Sequence, residues 1–156
     1  MARGQPLLGP DGAAGAGDMT LPRLALELPS PTASPGQPEP LPVCEVGGSL
    51  PVTLRLDAQA AAGVSQVTLR LVLRCHGSGT PEESVAHETT LQVPALAAGA
   101  ACSVVASVQV PLAGPVSYCG EHVKLDWSVR VIDSGGSCVM APIRVNAARS
   151  GAPGSR

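Results

Sequence analysis

Cysteine and histidine are the most reactive side chains in this sequence, and they come together twice: as the neighbours Cys75-His76 and within Tyr118-Cys119-Gly120-Glu121-His122. A thiol becomes a catalytic nucleophile when a base lies about 3 Å away and a third group orients that base. Adjacent residues of a strand point to opposite faces, so Cys75 and His76 diverge if a strand runs through them. Cys119 and His122 sit where a turn would let them meet, and they form the single candidate for a reactive thiol. A metal site built from His76, His87 and His122 with a cysteine lacks ligand spacing, since zinc sites announce themselves by closely spaced pairs. The neighbours Glu82-Glu83 lie in a turn flanked by Pro and Gly and read as a solvated loop. There is no glycine-rich phosphate loop, nucleophile elbow or dinucleotide fingerprint. The expectation is no enzyme, no catalytic residue, no metal and no cofactor.

Basic residues offer a second kind of chemistry. Arg70 and Arg74 are four apart in one alternating run, and Lys124 and Arg130 are six apart in another, so each pair shares a strand face. Such a face is either solvated and crossed by charge pairs or presented to a partner, because Arg is favoured at interfaces. These four residues are the candidate partner surface. Nucleic acid fits poorly: ten Lys and Arg stand against twelve Asp and Glu, net charge is −2, and no basic run could neutralise a phosphate backbone. With one Trp, one Tyr and no Phe, stacking platforms for bases or sugars are also lacking.

These side chains need elements to hold them, and period-two patterning supplies them. Val52, Leu54 and Leu56 alternate with Thr53 and Arg55; Val67, Leu69, Leu71 and Leu73 alternate with Thr68, Arg70, Val72 and Arg74, and Val104, Ala106, Val108 and Val110 with Val105, Ser107 and Gln109. Val123, Leu125, Trp127, Val129 and Val131 alternate with Lys124, Asp126, Ser128 and Arg130 over nine residues, which puts the two sets on opposite faces of one strand. Trp127 therefore reads as a core anchor rather than a binding residue. Weaker strands are expected at 21–28, 85–93 and 139–145. An alanine-rich stretch at 57–62 is the one rival helix and is too short to stand alone. Gly-Gly, Gly-Ser-Gly and Gly-Pro punctuation separates the runs. Seven or eight short strands at this spacing predict an all-β, antiparallel, immunoglobulin-like sandwich.

Residues 1–20 and 147–156 are rich in Gly, Ala, Pro and Ser and read as disordered tails, since they bury too little to offset ordering entropy. Residues 21–146 form one domain, with a proline-rich, extended connection at 29–42. No apolar stretch approaches the roughly 20 residues that cross a bilayer, and the N-terminus has no continuous apolar segment of a signal peptide. The cytoplasm is expected, with no membrane insertion. Five cysteines spaced 17 to 31 residues apart, an odd number, suit buried free thiols better than a disulfide framework. The abundance of Ala, Gly, Pro and Arg, with Lys124 the only lysine, carries the imprint of a GC-rich genome.

One stretch resembles a known family. Val110-Pro111-Leu112-Ala113-Gly114-Pro115-Val116-Ser117-Tyr118-Cys119-Gly120, running into the alternating strand around Trp127, is similar to the arrestin-like fold. There a strand ends in Pro, a loop of Pro, Ser and Gly follows, and a long strand with a central aromatic comes next. Gly47-Gly48-Ser49-Leu50-Pro51-Val52 resembles the family's opening strand. The resemblance covers about 43–145, one arrestin half where arrestins have two, and lacks their charged polar core. Bacterial sporulation-control proteins and the retromer's arrestin-like subunit use the fold as a scaffold. The resemblance thus implies a non-catalytic protein-interaction module that binds another protein or itself as a homodimer. The alternatives are an immunoglobulin-like accessory domain of a larger assembly, or a small enzyme or metal protein using Cys119 and His122.

Overall fold

The structure, a computed structural model, describes residues 24–32, 34–57 and 64–149. Among these the alternating runs become nine strands and no helix: β1 (Leu24–Glu27), β2 (Val43–Glu45), β3 (Ser49–Asp57), β4 (Gln66–Gly77), β5 (Glu82–Gln92), β6 (Ala101–Gln109), β7 (Tyr118–Cys119), β8 (Val123–Asp133) and β9 (Cys138–Asn146). The alanine-rich stretch read as a rival helix lies, apart from Asp57, outside the described residues, as do residues 1–20 and most of the C-terminal tail.

The strands form two facing sheets. The smaller has the order β1-β3-β6, and the larger β2-β9-β8-β4-β5. β7 pairs with β8 at Leu125 and Lys124, and β9 takes over from Trp127 to Ile132. Pairing is antiparallel except at the edge, where β2 runs parallel to β9. The connection at 29–42 brings this about: it leaves β1 in one sheet and delivers β2 to the border of the other. Pro42 and Asn146 carbonyls accept from the amides of Arg144 and Val46 at 2.8 and 2.9 Å, extending that parallel contact at both ends.

The core is aliphatic. Leu50, Val52, Leu54 and Leu56 of β3 face Val67, Leu69 and Leu71 of β4, Val129 and Val131 of β8, and Ile143 and Val145 of β9. Each such side chain gains roughly 1.5–3 kcal/mol on full burial, so the alternation is itself the driving force that pairs the sheets. Trp127 is 2% exposed, the largest buried side chain. Its Nε1–H donates to the Pro115 carbonyl at 3.1 Å, and a Cβ built at Gly114 would sit 3.6 Å from the ring. The loop after β6 is thereby held against the ring.

Two sequence readings need correction. Val123 was assigned to the apolar face, yet it is exposed and Leu125 only half-buried. Strands of eleven and twelve residues are covered by strands of four to nine, so the ends of β4 and β8 overhang the smaller sheet. Glu82 and Glu83, read as a loop, open β5. β5 also carries a bulge: Leu71 pairs with His87 but Val72 with Val85, which leaves Ala86 between them unopposed. An extra residue reverses the side-chain phase beyond it. Val85 and Glu83, which strict alternation from His87 would turn inward, therefore lie on the outer face.

Replacing Trp127 with Ala removes the one large core aromatic and orphans the Pro115 carbonyl. The expected cost is about 3–5 kcal/mol, read as a shift of the denaturant midpoint at unchanged slope. A loss below about 1 kcal/mol would mean that the ring is not a core element.

Candidate functional site

The outer face of the larger sheet gathers all four basic residues singled out from the sequence. Residues directly opposite one another share a face, and Arg70 of β4 stands opposite Arg130 of β8. Arg74 stands opposite Asp126 and His76 opposite Lys124. What had looked like two separate strand faces is one surface.

Like charges placed directly opposite are destabilising, and both arginines at the first crossing are compensated. The Arg70 guanidinium pairs with Glu88, its neighbour on β5. Arg130 reaches in the same direction across the whole width of β4. Its Nη1 and Nη2 donate to the two carboxylate oxygens of Glu83 at 2.9 and 2.6 Å, and its Nε lies 3.4 Å from Ser128 Oγ. This fork-to-fork pair holds the Glu83 carboxyl below its ordinary value and the guanidinium above its own, chiefly through those hydrogen bonds. Under the strap lie Val72 and Ser128, buried although they face outward. Their burial is the local sign that the face is partly roofed by its own side chains. Sequence reasoning missed Glu83 in this role because the bulge that aims it has no signature in β5.

Arg74 and Lys124 form no ion pair among the described residues, and Arg74 is exposed. Beside Arg74 is a shallow depression of about 360 Å³, bordered by Leu41, Asp126, Arg130, Met140 and Pro142. Met140 is 59% exposed, Val85 on the same face 51%, and Leu41 at the rim 45%. None of these three figured as a site residue from sequence; Met140 follows strand alternation and shows only once β9 is placed beside β8.

The reactive-looking cluster is arranged differently. Cys119 is exposed on β7, and no hydrogen bond joins it to His122 among the described residues. His122 Nδ1 instead lies 3.5 Å from Ser78 Oγ. The His122 carbonyl accepts from the Ser78 amide at 3.0 Å, and the chains approach so closely that a Cβ on Gly77 (φ 149°) would fall 2.1 Å from that carbonyl oxygen. His76 pairs with Asp126, across the strand from its sequence neighbour Cys75. Among the described residues no three His, Cys, Asp or Glu side chains are grouped to hold a metal. The reading of the cysteines as buried thiols holds for Cys44 alone: Cys75 and Cys102 are half-buried, and Cys119 and Cys138 exposed, because they fall on strand ends and outward positions. Burial pushes the Cys44 thiol up.

No family model matches the sequence, and no curated protein matches it. Solved structures do resemble the chain. Spo0M, the sporulation control protein of Bacillus subtilis, has a TM-score of 0.47 at 14% identity over 80% of this chain and 50% of its own. A Listeria innocua beta-glucosidase, solved with gluconolactone, has a TM-score of 0.40 at 16% identity over 80% of this chain and 16% of its own. The chain spans about half the length of Spo0M. Among the described residues no helix is long and apolar enough to cross a membrane.

The Arg130–Glu83 strap predicts a pH signature. Because the Glu83 carboxyl is held below its ordinary value of 4.5, its contribution is complete above that value and is lost as pH falls through the lowered one. Glu83→Gln should therefore melt below the wild type at neutral pH, and the gap should close in acid. A gap that persists in acid would mean that the charge is not what Glu83 contributes. Thiol labelling provides a second check. In the native protein Cys119 and Cys138 should react at comparable rates, with Cys44 reacting only on unfolding. A Cys119 rate many-fold above that of Cys138 would reinstate it as an activated nucleophile.

Proposed function

We propose that this chain is a non-catalytic protein-interaction module that receives its partner on the outer face of the larger sheet. The observation that carries this reading is the exposure of Met140 and Leu41 beside an Arg74 that makes no ion pair among the described residues, with Val85 exposed on the same sheet face. A merely solvated sheet face alternates polar residues outward. This one instead sets apolar side chains beside a guanidinium, the combination enriched where proteins meet. Arg130, Arg70 and their glutamates rim it with charge that is already satisfied, and the Arg130 strap keeps the floor rigid. The partner that fits is a protein segment placing a carboxylate on Arg74, with Lys124 farther along the same face, and apolar side chains on Met140 and Leu41.

The test uses the full chain as bait beside Arg74→Glu and Met140→Asp variants, both at exposed positions where folding should survive. Partners retained by the wild type and lost by both variants, with binding weakened as salt rises, are expected. Capture that neither substitution alters would remove this face from consideration.

A further inference from the structure

Four strands border the two sheets along their length, and three of them are built against pairing with another chain. β1 has four residues, and its Glu27 is engaged by Arg55 at 3.0 Å. β2 has three residues and ends on Glu45. β5 is long, but it carries Glu82, Glu83 and Glu88 and is bent by the bulge at Ala86. Short length, charge and bulges are the devices by which sheets blunt their edges. β6 has none of them. Its nine residues, Ala101-Cys102-Ser103-Val104-Val105-Ala106-Ser107-Val108-Gln109, include no charge and no proline. Its register with β3 runs unbroken from Gln109 to Ala101, so its far side presents an even row of backbone donors and acceptors.

We propose that β6 pairs with β6 of a second copy of this chain, antiparallel about a two-fold axis through Val105, joining the two three-stranded sheets into one of six. The sequence of the strand is what selects a copy of itself as the occupant. Val105 is its central residue and is 72% exposed, an outward-facing β-branched side chain on a strand whose other outward residues are Ala, Ser and Gln. A two-fold axis there sets Val105 against Val105, Ser103 against Ser107 and Ala101 against Gln109. Every residue of the strand finds a partner, and no charge meets its like. Directly opposed residues keep the same face, so Cys102, Val104, Ala106 and Val108 continue the core layer from one copy into the next. The contact is isologous and closes on itself, giving a dimer rather than a filament. It uses residues distinct from those of the proposed partner face, and either can fail without the other.

Sedimentation of the full chain across a roughly hundredfold dilution should show a concentration-dependent shift between the mass of one 15.6 kDa chain and twice that. Val105→Lys places two ammonium groups against each other on the axis and should raise the dissociation constant at least tenfold, whereas Val105→Thr should retain the dimer. The unchanged fluorescence of buried Trp127 would verify that both variants fold. Val105→Cys should give a covalent dimer under mild oxidation faster than the wild type does through its exposed Cys119 and Cys138, because opposed Cβ atoms lie within about 5.5 Å. A monomer at every concentration, including one whose β6 edge is covered by another part of the same chain, overturns the proposal. So does a dimer that Val105→Lys leaves intact.

Discussion

The fold rests on an aliphatic core with one large side chain in it. Valines and leucines fill most of the space between the sheets with small, stiff shapes, and one large ring fills the rest. Trp127 does this from β8, one of the inner strands of the larger sheet, between Leu73 of β4 and Ile143 of β9. Its ring is buried and its single polar atom is spent on the Pro115 carbonyl. That bond ties the proline-and-glycine loop after β6 back over the core. The same loop then feeds β7, and just before it the Ser117 hydroxyl accepts from the Val145 amide at 2.8 Å. A buried indole N–H left without an acceptor would cost more than the bond contributes, so ring and loop hold each other in place.

From that anchored strand the outer face follows. Trp127 pointing inward obliges Asp126 and Ser128 to point outward, with Lys124 and Arg130 two and four positions from them in the same phase. Two arginines then meet across β4 and β8, a placement that repels unless acids arrive from a neighbour. β5 supplies them, Glu88 on one side of its bulge and Glu83 on the other. The bulge lets one strand present both carboxylates outward despite their odd separation. Arg74 stands between Glu83 and Asp126 but forms no ion pair with either among the described residues, and the same outer face exposes Met140 and Val85.

Much of this was legible beforehand because burial in a sandwich is periodic. The alternating runs in β3, β4 and β8 each bury the residues that pattern assigned inward, over most of their length. Arg70, Arg74, Lys124 and Arg130 were separable from the core on the same ground. Glu83, Met140 and Leu41 were not, for three different reasons. Glu83 depends on an extra residue at Ala86 that breaks the period. Met140 matters only through the neighbour that pairing with β8 provides. Leu41 belongs to an irregular segment with no period to read. Cys119 and His122, neighbours in a turn, could have met on sequence grounds alone; among the described residues no hydrogen bond joins them, and His122 lies instead by Ser78 Oγ.

The sequence by itself determined which residues lie in strands, which of their faces turn inward, and that Trp127 belongs to the interior. These are local properties, set by a two-residue period and by the free energy of removing Val and Leu from water. Only the tertiary structure decided that two pairs of basic residues share one surface, that β2 joins the sheet in parallel, and that β6 forms an edge without charge. Each of those depends on which strand lies beside which. Strand order is settled by contacts between residues far apart in the chain, and the period of any one strand is silent about its neighbour.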